Sequence, residues 1–354
     1  MNILLCRSDI KLAGPAKLML ESARVLKKDN VVIVSTGGGE FLKHFEGNKI
    51  EHFTTSELRI EERSFVNFFI AVKKTVELIK KYNIDVVHCF NAHAAVIALV
   101  SKVIVRKKVK VVNTVLGNGK ERYLKYLPVK YIAVSSSVKD KLLNHGVKDS
   151  QVKVIYNSII PKEKVISLDD LEHKLANKSL KKIRFVSIAM FTGKKGHERI
   201  IEYFINSNFS FDFELFFIGD GETRELCEQK VNEAGCSDKI RFVGKQDDVY
   251  TWLDDSDVFI HLPDMETFGM VLIEAMSRGL PVIASNVGGI PEVVSSDCGV
   301  LIDLDFSQHQ FNETISFLKE LDVYKTMAYR ARERVDVMFT LEKLYQDYKE
   351  LYLS

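Results

Sequence analysis

Two glutamates separated by seven residues mark the stretch of this 354-residue chain densest in chemistry, HLPDMETFGMVLIEAMSRGLPVIASNVGGIPEVV at 261–294. Gly269 follows Glu266 at the point where the spacing predicts entry into a helix running through Met276. On that helix Met270 and Glu274 are one turn apart, while Glu266 falls just outside the N-terminus. Two carboxylates placed in this way address different parts of one elongated ligand. The backbone amides of Phe268, Gly269 and Met270 would be open to a phosphate, with help from the helix dipole. Taken alone, the pair also reads as Glu266 capping the helix and Glu274 on a solvated face.

Such residues need a scaffold, and the rest of the chain supplies the pattern of one. Short aliphatic runs at 2–6, 30–35, 85–89, 110–115, 131–135 and 153–157 alternate with helical segments such as Lys17 to Lys27 and Phe65 to Lys81. Continuously apolar strands alternating with helices predict a parallel sheet covered on both faces. After a polar stretch the alternation restarts at 183–190, 213–219, 239–244, 257–262, 281–285 and 299–303. The expectation is two Rossmann-like α/β domains, 1–157 and 183–335, joined by a linker over 158–182. A last helix lies within 336–354, where Leu344, Tyr348, Leu351 and Tyr352 share one face. In such sheets ligands sit at the carboxyl ends of the strands.

Composition narrows the classes. The chain is 46% hydrophobic and 28% charged, which suits a globular protein. Five cysteines without CxxC spacing read as free thiols in a reducing compartment. The opening MNILLCRSDIK reads as a strand and not a signal peptide, and no run reaches the roughly 18 apolar residues of a membrane span. A cytoplasmic protein is expected. The net charge of +2 hides a division: residues 1–180 hold 31 Lys+Arg against 18 Asp+Glu, and residues 181–354 hold 19 against 30. Halves of opposite charge point to domains with different partners, or to lobes that attract each other.

The region around the two glutamates resembles the retaining GT-B glycosyltransferases of family 4, which carry an E-x7-E pattern. Glu266-Thr-Phe-Gly-Met-Val-Leu-Ile-Glu274, then Gly279-Leu-Pro-Val-Ile-Ala-Ser, then Gly288-Gly-Ile-Pro-Glu292 keep the family's order and spacing. Lys195-Gly196, IGDG at 218–221, RFVG at 241–244, and VSSSVKDKL at 134–142 followed by IYNSI at 155–159 extend the likeness over nearly the whole chain. The resemblance implies two domains facing a central cleft, with the terminal helix crossing back onto the first. It implies that Glu274 holds ribose hydroxyls, Glu266 holds donor-sugar hydroxyls, and Lys195 pairs with the diphosphate, with Phe268, Gly269 and Met270 assisting through their amides. Gly14 would let the first domain approach the phosphate, and Val243 and Gly244 would meet the base. Two positions depart: Met190 stands where the family has Arg, and Val115-Leu116-Gly117 where it carries a His. Lys194 is then a substitute cation, and His93 a candidate catalytic residue near the cleft.

The resemblance further implies a sugar transferred from a nucleotide diphosphate, UDP being the commonest donor, without a metal or other cofactor. The acceptor would be a saccharide or lipid-linked saccharide of a bacterial surface glycan. The basic first domain adds a candidate contact with an anionic membrane. Phe65, Phe69, Val72, Val76 and Ile79 form a stripe beside Lys73, Lys74, Lys80 and Lys81, and Lys102, Arg106, Lys107, Lys108 and Lys110 form a second cluster. No nucleic-acid motif accompanies the charge. A non-catalytic sugar-nucleotide-binding subunit and a sugar-nucleotide epimerase remain as alternatives.

Overall fold

A computed structural model describes residues 1–10, 14–117, 121–158 and 165–354, without the side chains of residues 121 and 122. The chain divides into two units, Met1–Ile159 with Thr340–Ser354, and Ile160–Phe339. The first holds a parallel sheet of β1 (Asn2–Arg7), β2 (Val31–Thr36), β3 (Glu51–Thr54), β4 (Val86–Cys89), β5 (Lys110–Val115), β6 (Lys130–Ala133) and β7 (Val152–Val154). Its order is β3-β2-β1-β4-β5-β6-β7. The second holds β8 (Lys182–Ile188), β9 (Asp212–Ile218), β10 (Ile240–Gly244), β11 (Val258–His261), β12 (Val282–Ser285) and β13 (Gly299–Ile302). These are also parallel, in the order β10-β9-β8-β11-β12-β13.

Each sheet therefore grows outward from one strand, then returns to that strand's other side. The reversal falls between β1 and β4 in the first unit and between β8 and β11 in the second. At such a point two loops leave the same sheet edge in opposite directions, which opens a crevice beyond the strand ends. The interior strands are buried on both faces, as with the fully buried VVHC of β4 and VIAS of β12.

Two differences from the sequence reading have simple causes. β3 was not expected: EHFT is short and polar, and as an edge strand it is only partly buried. The segment 158–182, expected as a linker, carries a helix at Leu168–Ala176, capped by Ser167. Leu171 and Leu175 of that helix are buried in the second unit's core with Ile183 and Phe185. Residues 159–164 of the expected linker lie outside the described residues.

The helix Leu341–Leu353 packs in the first unit through the expected face, with Leu344, Tyr348, Leu351 and Tyr352 all buried. Its phenols find partners on the sheet and on the helix Gly14–Leu26. Tyr348 Oη lies 3.1 Å from Ser22 Oγ, and Tyr352 Oη 2.6 Å from His88 Nδ1. His88 Nε2 is 2.7 Å from Thr114 Oγ1, so both ring nitrogens are engaged. Burial pushes His88 down to about 3, so the imidazole is neutral and its two contacts are ordinary hydrogen bonds. Buried aromatic surface with satisfied hydroxyls holds this helix.

The stripe on helix Phe65–Lys81 splits in two. Val72 and Val76 are buried against the helix Ala92–Val105 and Ile79 is buried too, while Phe65 and Phe69 are 88% and 64% exposed. At this end Phe65, Val66 and Phe69 stay in solvent, while Phe68 is half-buried against the same cluster.

Candidate active site

The reversal point of the second sheet gathers the charged residues. The loop after β8 carries Lys194, Lys195 and Gly196, and the loop after β11 carries Asp264 and Glu266. Backbone contacts lace the two together. Asp264 N donates to Lys194 O at 3.1 Å, and Arg199 donates to Leu262 O at 3.0 Å and to Asp264 Oδ1 at 2.7 Å. Gly196 adopts φ +75°, and a Cβ there would stand 1.7 Å from Leu262 O. Only glycine admits both the left-handed backbone and this approach.

This lacing brings Lys195 Nζ to 2.7 Å from Glu266 Oε2. Glu266 Oε1 accepts from Thr267 N at 3.0 Å. On the backbone side, Gly289 N donates to Glu266 O at 3.0 Å, and a Cβ on Gly288 (φ +56°) would lie 1.8 Å from that same oxygen. A third group completes the cluster: His261, 1% exposed at the end of β11, puts Nε2 3.6 Å from Glu266 Oε2.

Burial alone would raise Glu266, but His261 and the Lys195 ammonium more than offset it and hold the carboxyl at about 2. His261 is itself lowered, chiefly by burial, against the pull of Glu266. At neutral pH the site is an ionised carboxylate, a lysine cation and a neutral imidazole. A carboxylate can accept hydrogen bonds from hydroxyls, and an ammonium can meet a phosphate as a point charge.

The residue-level alternatives for the glutamates do not hold. Glu274 lies on the helix Met270–Met276 at 4% exposure, so it is not on a solvated face. The helix begins after Gly269 (φ +92°) with no side-chain cap, so Glu266 does not cap it. Phe268 is 2% exposed and meets Phe339 edge-on at 5.9 Å, so its ring is core. Met270 opens the same helix. Lys194 is exposed, as is Met190 at 59%. Val243 and Gly244 end β10, two strands out from β8, where Gly219 N donates to Gly244 O at 3.0 Å.

Gly14 and His93 belong to the first unit, and both fall at its own reversal point, after β1 and β4. Gly14 opens a helix, while Leu12 and Ala13 lie outside the described residues, as do Asn118 and Gly119. His93 sits in the first turn of Ala92–Val105, capped by Asn91; its Nε2 is buried and without a hydrogen-bond partner among the described residues. Burial first, and Arg63 second, push His93 down to about 4. Among the described residues no group of three or more His, Cys, Asp or Glu is placed to hold a metal ion.

Sequence reasoning missed His261. A histidine ending an apolar strand reads as core, and only its position five residues before Glu266, at a strand's carboxyl end, carried a signal.

Residues 169–334 match the family described as Glycosyl transferases group 1, and residues 13–163 match Glycosyltransferase Family 4. The chain is 30% identical over 298 residues to N-acetyl-alpha-D-glucosaminyl L-malate synthase of Bacillus anthracis, covering 79% of this chain and 77% of that protein. It is 27% identical over 174 residues to lipopolysaccharide 1,6-galactosyltransferase of Escherichia coli, covering 47% of this chain and 46% of that one. The crystal structure of HepE from Anabaena in complex with UDP superposes with a TM-score of 0.82 at 20% identity, over 99% of both chains. Two parallel-sheet units with such neighbours define the GT-B fold. More narrowly, the chain belongs to the group 1 glycosyltransferases of family 4.

Proposed function

We propose that the chain is a retaining transferase that takes a sugar from a nucleotide-diphosphate donor, with UDP as the nucleotide, to a saccharide or lipid-linked saccharide in bacterial surface-glycan assembly. The observation that carries this reading is the 2.7 Å contact of Lys195 with Glu266 at the reversal point of the second sheet. Lys195, with Lys194 beside it, meets the diphosphate and offsets the charge that grows as the sugar's anomeric carbon–oxygen bond breaks. Glu266, ionised, accepts from sugar hydroxyls, and Glu274 from the ribose. The acceptor hydroxyl attacks from the face the diphosphate leaves, and its proton passes to the departing phosphate, so no separate base is required. His93, at the first unit's reversal point with Gly14, serves the acceptor side. Val243 and Gly244 meet the base.

The lipopolysaccharide galactosyltransferase supports a surface-glycan acceptor, and the UDP in the HepE structure supports the nucleotide. A second reading, a sugar-nucleotide-binding subunit without catalysis, is favoured by Met190 and Leu116 at the places of the family's Arg and His. A thermal-shift panel of UDP, GDP, ADP, TDP and CMP, with EDTA and with magnesium, separates the two when paired with a donor-hydrolysis assay. UDP at about 100 times its dissociation constant should stabilise by about 2.7 kcal/mol in EDTA. Turnover that survives EDTA supports a metal-independent transferase. Binding without any turnover would move the subunit reading ahead.

The same reading places the protein in the cytoplasm at the inner face of the cell membrane. No helix among the described residues is long and apolar enough to cross a bilayer, so the contact would be peripheral. The structure narrows the basic groups that could make it. Lys74 pairs with Glu57 at 2.7 Å, Lys107 donates to Asn83, Ile84 and Asp85, and Lys110 donates to Tyr352 O at 2.9 Å. Lys73, Lys80, Arg106 and Lys108 stay exposed, along with Phe65, Val66, Phe69, Val103 and Ile104. Each basic group near an anionic leaflet contributes about 1 kcal/mol. The protein should sediment with phosphatidylglycerol vesicles at low salt and be released at high salt. Failure to sediment at low salt would end the membrane assignment.

A further inference from the structure

His261 is a buried imidazole that the mechanism above does not use. It closes β11 opposite Ala284 of β12 and is 1% exposed, and neither ring nitrogen has a hydrogen-bond partner among the described residues. A buried polar group left unsatisfied is costly and calls for a reason. The reason lies in its direction. Nε2 faces Glu266 Oε2 at 3.6 Å, a few tenths of an ångström beyond hydrogen-bond reach, while Lys195 Nζ holds that same oxygen at 2.7 Å. Two nitrogens thus converge on one oxygen, Lys195 in close contact and His261 at the edge of reach, near enough to help hold the carboxylate ionised. The other carboxylate oxygen is already tied to Thr267 N.

We propose that His261 is the positioning residue of Glu266: when the donor's diphosphate draws Lys195 away, the Nε2–H of His261 closes onto Oε2 and keeps the carboxylate aimed at the sugar. The inference rests on the reading that Lys195 meets the diphosphate. It deepens that reading by giving Glu266 Oε2 a replacement partner, so that the half-buried carboxylate stays ionised after its cation has turned to the ligand. The charged or titratable groups that act on the pair are Lys195 and His197, the latter kept neutral by its own burial.

The test has two arms. In the first, histidines are labelled with 15N and the ring signals are followed against pH, His261 being assigned through His261→Gln. Lys195→Met removes the cation without a ligand, so His261 should take up its proton at a higher pH than in the unaltered protein, with Nε2 carrying hydrogen while neutral. In the second, UDP and UDP-glucose are titrated into the unaltered protein, His261→Leu and His261→Gln between pH 5 and 8. His261→Leu should weaken UDP-glucose about tenfold, one charge-assisted hydrogen bond's worth, and leave UDP within about twofold. The deficit should grow toward pH 5, because Glu266 keeps its burial and loses a partner, and so protonates at a higher pH. His261→Gln, which retains a donor, should recover most of the affinity.

Unchanged His261 titration in Lys195→Met overturns the proposal. So does an equal loss of UDP and UDP-glucose, or a flat pH response in His261→Leu. If neither ligand binds the unaltered protein while the titration moves as expected, the donor reading falls and the coupling of His261 to Glu266 stands.

Discussion

Lys195→Met is expected to lower kcat/KM for sugar transfer by about 10²- to 10³-fold, the usual cost of removing one preorganised group from a developing charge. The change should appear mainly in kcat, since the leaving diphosphate carries more charge in the transition state than in the bound donor. The same substitution leaves the half-buried Glu266 with Thr267 N and His261 but no cation. In the native protein Glu266 is held at about 2, below its ordinary 4.5. A carboxyl depressed on folding contributes stability that is fully present above 4.5 and is lost as pH falls through 2. The whole depression corresponds to roughly 3 kcal/mol at neutral pH, and Lys195 supplies part of it. The variant should therefore melt below the unaltered protein at pH 7, and the gap should narrow between pH 4.5 and 2. Lys195→Arg keeps the charge and should regain most of the stability, but less of the activity, since its planar fork replaces a compact ammonium. Unimpaired transfer by Lys195→Met would remove the lysine from the mechanism.

Gly196→Ala and Gly288→Ala should each destabilise the second unit severely, although neither glycine has a side chain to lose. Both have positive φ, +75° and +56°, and both would drive a Cβ into a carbonyl oxygen, Leu262 O at 1.7 Å and Glu266 O at 1.8 Å. The obstacle is backbone, not the free end of a side chain, so relief requires moving the very loops that bring Lys195 and Glu266 together. Left-handed strain of about 1–2 kcal/mol adds to a clash of similar or larger size. A loss of at least 3 kcal/mol and a fall in Tm on the order of 10 °C follow for a unit of this length. Gly235→Ala separates the two terms: its φ is +66° with nothing within 4 Å of the added carbon, so it should cost about 1 kcal/mol. If all three variants melted alike, close approach would not be what holds the loops.

Most strands were legible because parallel strands covered on both faces must be apolar throughout, and VVIV or VFI admits few other readings. β3 was not, because an edge strand has no second neighbour and its residues need not be apolar. The helix Leu168–Ala176 hid in a polar stretch, since only Leu171 and Leu175 turn inward and two residues make no period. At the site, Lys195, Glu266 and Glu274 stood out through spacing, whereas the 2.7 Å meeting of the first two depends on strand order, which no local pattern displays. His261 was invisible for the opposite reason: its local pattern is that of core. The basic clusters misled in part, because Lys107 and Lys110 look like surface charge but serve as hydrogen-bond donors to the backbone of their own unit.

The first unit is discontinuous in sequence: Thr340–Ser354 returns to it after the 180 residues of the second, Ile160–Phe339, have been laid down. During synthesis at about 5–20 residues per second, those residues occupy the ribosome for on the order of 10–40 s. Throughout that interval the nascent first unit lacks Tyr348 and Tyr352, and His88 Nδ1 waits without the hydroxyl that later meets it. The unit that starts first is thus completed last. A premature stop at position 340 would leave the second unit's strands whole and strip the first of its closing helix, baring the surface around Ser22 and His88 to chaperones and proteases.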